Sequence, residues 1–158
     1  MIDGWLEGLE AGGLSSGLRK SLWLYPIVNA LHVLGIALLV GPILAFDARV
    51  LGLWARVPAA TLGSVLLPVA RLGFGLAVVT GALLFVARPL DYAYSALFLA
   101  KLALIAVALA NVVRLHRSAG WRGLEAGARP GAAVRLAAGL SALCWIATVF
   151  AGRMLGYR

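Results

Sequence analysis

Four long apolar runs divide this chain, and most of its charged residues fall between them. The first run lies between Lys20 and Asp47 and contains no charge. A helix needs ~20 apolar residues to cross hydrocarbon, so a span with some tilt is predicted over residues 21–45. Trp23 and Tyr25 stand near its start, where an interfacial aromatic belt is expected. Pro26 falls in its first turns, and Pro42 is expected to kink or end it. Further spans are predicted at about 62–87, closed by Arg88 and Pro89, at 92–113, and at 134–152. Lipid offers no hydrogen-bond partners, so these runs are helical. The predicted fold is all-α: an integral membrane four-helix bundle forming one domain over residues 1–158.

Residues 1–20 read differently. Trp5, Leu9 and Leu18 supply apolar contacts, while Gly12, Gly13, Ser15, Ser16 and Gly17 are expected to interrupt any helix. An amphipathic segment lying on the membrane surface is predicted. Asp3, Glu7 and Glu10 occupy the place of a basic leader region, so targeting is expected from the first span itself.

Composition agrees with lipid as the solvent. Hydrophobic residues are 63% and charged residues 13% of the chain, against roughly half and a quarter in soluble domains. The formal charge of +8 would suggest nucleic acid in a soluble protein. Here the basic residues flank apolar runs, and no zinc-finger spacing or basic aromatic sheet pattern accompanies them, which excludes nucleic acid as a partner. Their distribution predicts orientation instead. One side holds seven, Arg49, Arg56, Arg114, Arg117, Arg122, Arg129 and Arg135. The other holds five, Arg19, Lys20, Arg88, Arg153 and Arg158. Both termini are therefore expected outside the cytoplasm of a bacterial inner membrane. The lone cysteine, Cys144, cannot form an intrachain disulfide and reads as a small buried hydrophobe.

Polar groups at membrane depth are costly and usually face a bundle interior. Tyr25, Asn29 and His32 recur at i, i+4 and i+7, which sets them on one helical face. Lys101 lies at a depth comparable with Asn29, and Thr80, Thr148 and Arg153 fall in the same half. Asp47, Arg49, Arg71, Asn111 and Ser141 fall in the other half, where Asp47 and Arg71 are expected to tie two helices as an ion pair. His32 has two readings. A neutral imidazole is a good axial ligand for haem iron, with Lys101 or Arg153 meeting the propionates. It is equally a hydrogen bond that fixes helix packing. Lys101 and Arg71 also read as side chains that snorkel to the interface. The glycines of the first two spans (Gly35, Gly41, Gly73, Gly75, Gly81) allow close helix packing or leave room for a flat ligand. His116 is unsuited as a second axial ligand, because it lies about ten residues deeper than His32, roughly 15 Å along the axis. No hydrolase nucleophile motif, phosphate-binding loop or paired-cysteine metal site is present.

The stretch Ser21-Leu-Trp-Leu-Tyr-Pro-Ile-Val-Asn-Ala-Leu-His32-Val-Leu-Gly35, with Gly41, Asp47-Ala-Arg49-Val-Leu-Gly52 and the closing Gly152-Arg153-Met-Leu-Gly-Tyr157, resembles a family of bacterial four-span integral membrane proteins of uncharacterised function. A more distant similarity is to HemJ-type protoporphyrinogen oxidases and CopD-like membrane domains. It rests on His32 in the first span and on Lys101 in Phe98-Leu-Ala-Lys101-Leu-Ala-Leu. The tryptophan and lysine that precede the histidine in HemJ-type chains are absent here. The resemblance implies a b-type haem or other tetrapyrrole on His32, in redox or haem handling. Tyr25, Asn29, His32, Lys101 and Arg153 are the expected cofactor-binding residues, with His32 the metal ligand. The alternatives are a non-enzymatic subunit of a membrane complex or homo-oligomer, and a small transporter. Four spans without a repeated pair of broken helices weigh against transport.

Overall fold

The computed structural model describes residues 2–157, without the side chains of Ile2, Asp3, Trp5 and Leu14. The expected contact of Trp5 therefore lies outside the described residues, as does Arg158. The described residues form eight helices and no strand: α1 (Ile2–Ala11), α2 (Gly13–Lys20), α3 (Leu24–Leu51), α4 (Ala59–Ala87), α5 (Pro89–Ala93), α6 (Ala96–His116), α7 (Ala119–Glu125) and α8 (Ala132–Leu155). Four of them, α3, α4, α6 and α8, are long and apolar enough to span a membrane. They pack together as an all-α integral membrane bundle. One end carries both chain termini and α5; the other carries the α3–α4 loop and α7. We call these the terminal end and the loop end.

The spans follow a definite neighbour order. α3 packs on α4, α8 packs on α6, and α3 joins the two pairs through α8. No backbone contact links α4 to α6. α8 is accordingly the most buried span. Its inner face is small or polar (Ala137, Ala138, Ser141, Cys144, Thr148) apart from Val134 and Trp145. Leu136, Leu143 and Phe150 on its other face are exposed, as suits lipid. This pattern is what membrane helices need, since close backbone approach rather than apolar contrast holds them together.

The tightest seam is between α3 and α4. A Cβ on Gly73 would stand 2.5 Å from the Leu39 nitrogen, and one on Gly35 would stand 2.7 Å from the Ala77 nitrogen. Neighbouring backbone therefore fills the space at both glycines, and no flat ligand fits there. Gly41 and Gly75 face open space. Pro42 does not end α3, which continues to Leu51. The carbonyl that Pro42 deprives of a donor is that of Leu38, and the Leu38 peptide lies directly against Gly73.

Both ends are capped by elements the hydropathy pattern does not reveal. At the loop end, α7 brings Trp121 and Leu124 into a core with Phe46, Val50, Ala59, Val134 and Ala138. Ser118 caps α7, accepting a hydrogen bond from the Trp121 nitrogen at 3.1 Å. Arg49 anchors the α3–α4 loop by donating to the carbonyls of Val57 and, at 3.3 Å, Ala55. At the terminal end, the glycines and serines of residues 12–17 do not prevent helix formation: the chain breaks only at Gly12, and α2 begins at Gly13. Burial explains the difference. Ser15 donates to the Ala87 carbonyl at 3.4 Å, and Leu18 packs with Val28 and Ala87. The N-terminal segment is thus a helical hairpin docked on α4 and α5, closed by an Arg19–Glu10 ion pair at 2.9 Å.

Candidate functional site

His32 lies half-buried on α3 where α3 faces α4. Its Nδ1 is 3.0 Å from the Thr80 hydroxyl. Thr80 has one hydroxyl proton, and it donates this to the Leu76 carbonyl at 2.6 Å. The ring also hydrogen-bonds the backbone of Ala77, so His32 is held against one turn of α4. With the Thr80 proton on a carbonyl, the tautomer protonated at Nδ1 completes the Thr80 contact, and that tautomer would leave Nε2 its lone pair, as an outer partner does for a metal-binding histidine. Gly81 makes room for the ring, since a Cβ there would stand 3.1 Å from His32 Cε1.

Lys101 enters the same interior from α6. Its chain lies along α8 at Gly152, where a Cβ would stand 3.4 Å from Nζ. It is near enough to act electrostatically on the His32 ring. No carboxylate pairs with it: among the described residues the ion pairs are Arg19–Glu10 and Arg88–Asp91. Lys101 is therefore a lysine inside the bundle without an ion-pair partner among the described residues, near a histidine. α4 and α6 share no backbone contact, but their side chains meet toward the terminal end, with Phe85 stacked on Phe98 at 5.5 Å and Tyr92 5.5 Å from Phe98.

The other residues expected at this site do not converge on His32. Tyr25 sits at the mouth of the terminal end and hydrogen-bonds Tyr92. Both line a cavity of about 480 Å³ with Arg88, Asp91, Ser95 and Gly156. Burial, then the neighbouring Tyr25, hold the Tyr92 hydroxyl above the ordinary tyrosine range. Asn29 is exposed on the outside of α3. Arg153 is exposed and folds onto Tyr157, donating to its hydroxyl at 2.6 Å with the guanidinium 4.6 Å from the ring centre. Helical spacing correctly sets Tyr25, Asn29 and His32 on neighbouring angles, but only His32 meets a partner helix within the membrane.

The loop half of the bundle holds a second polar group. Asp47 is buried on α3 and hydrogen-bonds Ser141 of α8, while its Oδ2 has no partner. Asn111 donates to the Ala137 carbonyl at 2.8 Å, joining α6 to α8. Trp145, one turn from Ser141, buries an indole nitrogen that also lacks a partner. The expected Asp47–Arg71 ion pair does not form: Asp47 turns to α8, and Arg71 is exposed in a groove beside α7. His116 ends α6, bonds the Val112 carbonyl at 2.9 Å and stacks on Trp121 with ring centres 4.0 Å apart. Gly152 and Trp145 carried no sequence signal, because nothing in an apolar run distinguishes a glycine that admits a lysine.

A tetrapyrrole at His32 can be tested against this geometry. The donor type fits, since an imidazole held through Nδ1 by Thr80 can offer Nε2 to iron, and Lys101 could supply a cation for a propionate. Only one protein ligand is on hand: no cluster of three or more metal-binding side chains occurs among the described residues. Neither principal cavity reaches the His32 ring, so a flat group would have to part α4 from α6 where they do not touch. Compared with known proteins, the chain matches no family model, no curated sequence and no solved structure.

Proposed function

We propose that this integral membrane protein binds a b-type haem or another carboxylated tetrapyrrole between α4 and α6. His32 Nε2 is the single axial ligand, and Lys101 is the partner of a propionate. The observation that carries this reading is a half-buried His32 held by Thr80 at 3.0 Å, near a Lys101 that has no counter-ion among the described residues; the Nδ1-protonated tautomer would leave Nε2 to bind iron. Such a group, when bound, would supply redox chemistry, with His32 and Lys101 as the residues that would hold it. Purified from haem-sufficient cells, the protein is expected to show a Soret band. His32→Ala should abolish it while the protein still elutes as a folded species. A colourless wild-type protein after haem supplementation would overturn the reading.

A second reading has its own support. The His32–Thr80 bond joins α3 to α4, and neither principal cavity reaches the ring, as expected of a side chain that only locks two helices in a structural or accessory subunit. Interhelical hydrogen bonds of this kind contribute ~0.6 kcal/mol on average in membranes. On that reading His32→Ala lowers stability slightly and changes no spectrum.

For location we propose a bacterial inner membrane with the loop end facing the cytoplasm, supported by the seven arginines gathered there. An alkaline phosphatase fused after Tyr157 should then be active. An inactive fusion, with activity when the reporter is placed in the 126–131 loop, would invert the orientation.

A further inference from the structure

At the loop end a groove of about 350 Å³ opens between α4 and α7. Its walls include Phe46, Leu67, Trp121 and Leu124, and Arg71 lines it as its cation. Arg71 lies twelve residues into α4, close to the middle of the span. It is exposed and has no hydrogen-bond or ion-pair partner among the described residues. A charged side chain at that depth, open to lipid, is costly unless its head reaches a counter-charge. Helical side chains lean toward the N-terminus of their helix, which for α4 is the loop end. The guanidinium thus reaches along the groove toward α7. The distance from Arg71 to the start of α4 is roughly 18 Å at ~1.5 Å per residue, more than one side chain covers. The counter-charge must therefore descend into the groove.

We infer that this groove binds the phosphate headgroup of an anionic membrane lipid, with Arg71 as its anchor. A guanidinium pairs with two phosphate oxygens at once, which a single ammonium does not. The lipid's acyl chains would run on along the exposed Leu72 and Val79 of α4. The seven arginines at this end concentrate anionic lipid in the adjoining leaflet. A second copy of the chain is a poorer occupant. Asp47 is the only carboxylate in the four spans, and it is buried against Ser141. The groove's own carboxylate, Glu125, is engaged at the rim, accepting from the Trp121 indole at 2.8 Å.

Native mass spectrometry of the full chain, released from detergent with phosphatidylglycerol or phosphatidylcholine, tests this. Wild type is expected to retain one phosphatidylglycerol in preference to phosphatidylcholine, and Arg71→Gln to lose that preference by about tenfold or more, the loss of one charge-assisted contact. Leu67→Trp, which keeps the arginine but fills the groove, should lower retention as well and covers a failure of Arg71→Gln to fold. Inorganic phosphate alone should neither bind nor compete. Equal retention of the two lipids, binding of free phosphate in place of lipid, or an Arg71-dependent dimer mass would each overturn the assignment.

Discussion

The two halves of the bundle use polar residues in opposite ways. In the loop half, polar side chains meet across helices: Asp47 with Ser141, and Asn111 with the Ala137 carbonyl. The two unsatisfied atoms there, Asp47 Oδ2 and Trp145 Nε1, are buried in the packed interior. In the terminal half, His32 is held by Thr80 and the Ala77 backbone, both on α4, and Lys101 has no ion-pair partner among the described residues. Apart from Arg71 in its surface groove, polarity in the loop-half interior goes chiefly into joining helices. In the terminal half the interior itself holds Lys101 without an ion-pair partner among the described residues, and that excess is what a ligand would use. The contrast also follows the contacts: α3, α8 and α6 are stitched together around the loop-half residues, whereas His32 and Lys101 stand on α3 and α6, which share no backbone contact.

The largest expected effect falls on the seam that both halves share. Gly73→Leu drives a side chain into the Leu38–Leu39 backbone, where no rotamer change can relieve it. A loss of ~3 kcal/mol or more, or failure to accumulate as a folded species, is expected in thermal unfolding and size-exclusion measurements. Gly75→Leu, which meets nothing within 4 Å, serves as the control and should be silent. A silent Gly73→Leu would mean that the α3–α4 crossing is wrong.

Next comes the loop half. Ser141→Ala strips Asp47 of its partner and should lower stability by about 1–3 kcal/mol, the usual cost of leaving a buried polar group unsatisfied. It should leave any bound pigment unchanged. If the Soret band falls with Ser141→Ala as it does with His32→Ala, the division between the halves fails.

The spans were legible because nothing but helix satisfies a backbone in lipid, and four apolar runs leave little choice. Their ends were less so. The first run reads as ending near residue 45 because Asp47 and Arg49 look like interface, yet α3 continues to Leu51, since Asp47 finds Ser141 and Arg49 finds the loop carbonyls. The glycine-rich α2 and the seven-residue α7 owe their helices to burial of Leu18 and Trp121, which no local pattern announces. For the site, spacing identified His32, and hydropathy identified Lys101. What spacing could not supply was the direction of each face. Asn29 shares a stripe with His32 but is turned outward, and Arg153 found Tyr157 instead of the interior. The partners Thr80, Gly81 and Gly152 come from other helices, and only the packed bundle brings them to His32 and Lys101.

The most direct test of the division is the visible spectrum, oxidised and dithionite-reduced, of wild type, His32→Ala and Ser141→Ala purified side by side after haem supplementation. The account expects a Soret band with sharpened reduced bands in wild type and Ser141→Ala, and none in His32→Ala. A colourless wild type, or a band that survives His32→Ala, would contradict it.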